Sequence, residues 1–140
     1  MLQPPLQQKS KFFALEAQMA VTTTTASNPL VTTIVTDTTS DTTVETAATA
    51  AQNLYFVEVT NPNDYAVYTK LIAAASGSNN QTQHYIQLYC GANTTCYTYM
   101  PTSIPIASGI QFYTSKDAGT VNSQNNPSSA VIVKIGMTAQ

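Results

Sequence analysis

From Leu54 onward no helical period can be drawn, because turn residues cut the chain into short β-rich runs. The runs are LYFVEVT (54–60), YAVYTKLIAAA (65–75), HYIQLYC (84–90), CYTYM (96–100), IQFYTS (110–115) and AVIVKIGMT (130–138). NPND (61–64) reads as a turn, since Pro62 presets φ and Asn and Asp start turns. PTSIPIASG (101–109) is too proline-rich for a central strand. Six strands at this spacing predict an all-β fold, an antiparallel β-sandwich of jelly-roll-like type over residues 52–140. Several runs are apolar on both faces. Val131, Val133, Ile135 and Met137 alternate with Ile132, and Leu54 and Phe56 are expected to oppose Tyr55 and Val57. One face would fill a core and the other a subunit interface.

The text before Leu54 is different. Between Val21 and Ala51 there is no glycine, one proline (Pro29), and threonine at nearly every second place. Threonine is stiff at χ1 and favours extended backbone. With so few apolar residues the segment is not expected to fold alone. Residues 1–51 are therefore expected to form an extended low-complexity arm, and thirty such residues can reach roughly 100 Å. Within it, Ser10 to Ala20 reads as a short helix with Phe12, Leu15 and Met19 on one face. Those three residues, with Val31, Ile34 and Val35, are the expected partner-binding set. Glu16 and Gln18 interrupt the apolar stretch after Lys9 and Lys11, so no secretory leader is expected there.

Composition excludes some partners. Charged residues make up 9% of the chain, where soluble domains carry about a quarter, and hydroxyls and amides replace them, including 23 threonines. Arginine is absent, and five lysines against seven acids leave a net charge of -2. Phosphate neutralisation needs clustered cations, so no nucleic-acid partner is expected. No apolar run approaches a membrane span, so no membrane partner is expected either. A surface this polar and this weakly charged suits a molecule whose faces lie against other subunits, and a homo-oligomer is expected, preferably a trimer.

Catalytic constellations are lacking in the text. His84 is the only histidine, no G-x-S-x-G elbow occurs, and Asp37, Asp41 and Glu45 fall in the threonine-rich segment. A non-enzyme without cofactor or metal is expected. Cys90 and Cys96 flank GANTT and can either bond across a hairpin or stay reduced as small hydrophobes. Tyr97 and Tyr99 share one face of a strand, a pattern that serves either a half-buried sheet face or a sugar platform.

The run VTNPNDYAVYTKLIAAAS, the segment PTSIPIASGIQFYTSKDAGT and the closing AVIVKIGMT resemble small all-β structural proteins of tailed bacteriophages. The shared pattern is an Asn-Pro turn, Tyr-x-Lys-Leu, then Pro-x-x-x-Gly-Ile-x-Phe, over about residues 54–138. The resemblance implies a structural virion protein and leaves its location in the particle open. With the arm, the expected function is a capsid cement (decoration) protein on the outer virion surface that stabilises the head through that arm, with the major capsid protein or other virion subunits as partners. The competing expectation is a receptor- or glycan-binding module of a tail, using loops 76–83 and 116–129.

Overall fold

The computed structural model describes residues 21–25, 30–120 and 124–140. These form nine strands and no helix: β1 (Val21–Thr25), β2 (Thr33–Ser40), β3 (Glu45–Ala48), β4 (Gln52–Asn61), β5 (Val67–Ile72), β6 (Ile86–Cys90), β7 (Thr94–Ile106), β8 (Ile110–Ser115) and β9 (Val131–Ala139). All pairing is antiparallel, in a five-stranded sheet of order β1-β2-β9-β4-β7 and a four-stranded sheet of order β3-β8-β5-β6. The inner faces of the two sheets share one apolar core, which makes the fold a β-sandwich. From β2 to β9 the pairs β2–β9, β3–β8, β4–β7 and β5–β6 trace one long hairpin. Rolling that hairpin adds β4–β9 and β5–β8.

The threonine-rich segment is part of this sandwich, which corrects the expectation of an arm over 21–51. β2 lies between β1 and β9, and β3 borders β8. Val35 is in the shared core, and Val31 is also buried. The physical reason is that a half-buried strand needs apolar residues only at alternate places, while β-branched threonine suits the rest. Hydroxyls turned inward find partners on the opposite sheet. Ser40 Oγ lies 2.9 Å from Thr114 Oγ1, which lies 2.9 Å from Thr69 Oγ1. The backbone N–H of Thr114 donates to Asp41 O at 2.7 Å. The expected helix at 10–20, with Phe12, Leu15 and Met19, lies outside the described residues.

In β9 the inward row is Val131, Val133, Ile135 and Met137, as the alternation predicts. In β4 the alternation breaks. A register shift between Leu54 and Phe56 makes Tyr55 an extra residue against β9. Leu54 and Val57 therefore both point into the core, and Phe56 faces out, against the expected Leu54–Phe56 pairing of faces. The proline-bearing stretch 101–106 continues β7, which is possible because β7 is an edge strand. Gly109 then turns the chain into β8 at φ 106°, and a Cβ there would come within 2.6 Å of Ala48 O.

Candidate interaction face

The outer face of the five-stranded sheet is built in rows set by register. One row runs Thr24, Ile34, Gly136, Phe56 and Tyr99, from β1 to β7. The Phe56 ring lies across Gly136, where a Cβ would come within 2.0 Å of a ring carbon. Glycine there lets the ring lie flat on the sheet. Phe56 and Tyr99 have centroids 6.3 Å apart, and Tyr99 and Tyr97 lie 6.1 Å apart with ring planes within 5°. Tyr97 and Tyr99 are 56% and 68% exposed, so the sheet does not bury them.

The next row runs Thr22, Thr36, Lys134, Glu58 and Tyr97. Lys134 Nζ donates to Glu58 Oε1 at 2.9 Å, so the two charges of this row cancel locally. Beyond it Thr60 and Thr95 share a hydroxyl hydrogen bond of 3.0 Å. The face is thus an aromatic band, one neutralised ion pair and a threonine margin. Beside the band is a groove of about 370 Å³ lined by Leu30, Val31, Tyr55, Phe56, Tyr99 and Pro101. It is apolar and uncharged, and it can take aliphatic or aromatic side chains. Ile34, of the expected partner set, is on this outer face. The signals that sequence reading missed were Gly136 opposite Phe56 and the 62% exposed Leu30.

Over the outer face of the other sheet, residues 119–120 meet His84 and the start of β6, while Ser78 and Asn80 bond to Gln111 and Tyr113 of β8. His84 Nδ1 lies 3.1 Å from Thr120 Oγ1, and the Gly119 N–H donates to Gln87 Oε1 at 2.6 Å. Beneath them Lys70 is fully buried. Its ammonium donates to Ser115 Oγ at 2.8 Å, Asp117 O at 2.5 Å and Gln124 Oε1 at 2.5 Å, and lies 5.2 Å from the Tyr113 ring centroid. Three donors meet three neutral acceptors, and burial lowers the Lys70 pKa to about 8 despite the Asp117 charge. Burial, helped by the Lys70 charge, also holds His84 below the usual histidine range. This cluster ties Asp117 and Gln124, which follow β8, to the sheet around the buried lysine.

Burial raises the pKa of Asp37 and of Glu45, and neighbouring carboxylates add to both. Asp37 Oδ1 accepts the Thr39 N–H at 2.9 Å and Asp41 Oδ1 accepts the Thr43 N–H at 2.6 Å, which are turn-forming bonds. Cys90 is buried, Cys96 is half-buried, and both are free thiols. Among the described residues no group of three or more His, Cys, Asp or Glu could hold a metal, and no helix is long and apolar enough to cross a membrane. Comparison with known proteins found no matching family model, no matching curated protein and no matching solved structure.

Proposed function

We propose that this protein is a structural subunit of a tailed-bacteriophage virion, a cement protein on the outer capsid that docks by its five-stranded sheet. The observation that carries the reading is the outer face itself. It combines exposed aromatic rings, an apolar groove and threonines with a single, internally neutralised ion pair. Such a face favours contact with another protein surface over contact with a charged polymer. The rolled order of β2 to β9 supports a jelly roll, an architecture used in viral capsid and lectin domains alike. The sequence resemblance supplies the virion context. Mechanistically, many weak copies of one face on a symmetric lattice resist expansion without any single tight contact. Self-association fits the same surface, with a trimer as the preferred state. Light scattering of the full chain at micromolar concentration tests it, and a monomer mass counts against it.

A second reading is a glycan- or receptor-binding module of a tail. The exposed, parallel Tyr97 and Tyr99 rings favour it, because flat aromatic surfaces stack on sugars. Fractionation of particles separates the two. Retention on capsids after tail removal supports cement, retention on tails supports the module, and absence from purified particles overturns both.

A further inference from the structure

β6 ends at Cys90 in one sheet, and Cys96 sits near the start of β7 in the other. Alternation turns both inward. Ile86, Leu88 and Cys90 face the core while Gln87 and Tyr89 face out, and Cys96 and Met100 pack on the core while Tyr97 and Tyr99 are exposed. No main-chain ladder joins β6 to β7, so side chains and the turn between them close this side of the sandwich.

The turn is pinned from outside. The Asn93 N–H donates to Asn63 O at 2.8 Å, with Asn93 itself at φ 49°. Asn61 is buried, and its Nδ2 donates to Gly91 O at 2.8 Å and Tyr65 O at 2.7 Å. The turn between the two thiols is therefore held in place by the fold, and both cysteines pack on one core. Cys90 Sγ lies 3.3 Å from Val59 O, the carbonyl of the residue paired with Cys96, and Cys96 packs on the same core as Cys90 and Val59.

We propose that Cys90 and Cys96 form a thiol–disulfide site that staples the two sheets together, with a small disulfide of the glutathione class as co-reactant. The half-buried Cys96 is the point of entry. Its thiolate attacks one sulfur of oxidised glutathione, forming a mixed disulfide and releasing one glutathione thiolate. Cys90 then gives up its proton to solvent and attacks the Cys96 sulfur, forming the Cys90–Cys96 bond and releasing the second glutathione thiolate. Two protein thiols are oxidised by two electrons, and one small disulfide is reduced to two thiols. Burial, with the Cys96 contact adding to it, pushes the Cys90 thiol up to about 12, which makes the second step the slow one. Tyr89 and Tyr97, adjacent in sequence to the two cysteines, are held at a set separation once the staple is closed. The inference does not depend on the virion reading.

The test uses the folded full-length chain, incubated with oxidised glutathione, then acid-quenched, unfolded and alkylated before intact-mass measurement. The expected product is monomeric, lighter by two hydrogens and unlabelled, while a reductant-treated control takes two alkyl groups. Two alkyl groups after oxidation, or stable glutathione adducts in place of the internal bond, overturn the proposal. Single variants check the order of steps. C90S is expected to stall with one glutathione on Cys96, and C96S to take up none. The reverse pattern overturns the assignment of Cys96 as entry point.

Discussion

Gly136 shows how one missing atom shapes a surface. Its register partners are Ile34 on one side and Phe56 on the other, and the Phe56 ring occupies the space above it. Gly136→Ala puts a Cβ into that ring, so Phe56 must leave its rotamer and give up contact with the sheet. The expected loss is about 1–3 kcal/mol in urea unfolding, typical of an overpacked site. In a Phe56→Ala background the same change should cost under about 1 kcal/mol, because the clash is gone. An equal penalty in both backgrounds would show that the ring is not responsible.

Among elements, the segment after β8 is held by Lys70, and the contribution of that lysine to stability has a sign. In the unfolded chain Lys70 titrates near its ordinary 10.5, and in the fold near 8. Below pH 8 both states hold the proton, and the cost of burying the charge is felt in full. Between 8 and 10.5 the folded chain has released a proton that the unfolded chain retains, so stability climbs with pH. Cys90, raised from 9.0 to about 12, works in the opposite sense above pH 9. The window from 8 to 9 therefore belongs to Lys70. Thermal midpoints of the reduced protein are expected to rise from pH 8 to 9 and then level. Lys70→Met removes the charge and should flatten that rise. Parallel profiles for the two proteins would exclude Lys70 as the titrating group.

At the scale of the molecule, the rolled hairpin makes the first strands indispensable. β2 pairs with β9 along six residue pairs, and β3 pairs with β8. Deleting residues 1–51 removes β1, β2 and β3, takes Val35 from the core and leaves β9 and β8 each with a bare edge. No cooperative thermal transition is expected for residues 52–140. Deleting residues 1–20 removes none of the described strands, and its midpoint should stay within a few degrees of the full chain. A folded, cooperatively melting 52–140 fragment would overturn this account of the sandwich.

Local chemistry was enough to mark most strands from Leu54 onward. Turn residues bounded β8 at 110–115, the period of two placed Val131, Val133, Ile135 and Met137 inward, and Pro101 and Pro105 kept β7 from the sheet centre. These features depend only on neighbours in the chain. Where the threonine-rich text went was not local, because strand pairing between residues about a hundred positions apart rewards it only once β9 is present. The same holds for Lys70, whose acceptors come from β8 and the following loop, and for Phe56, turned outward by a bulge that no period predicts. Sequence by itself determined the class of fold, through alternation and turns. Tertiary structure decided which residues are core and which form the exposed aromatic band, because those outcomes depend on what the other strands and the other sheet bring to each position.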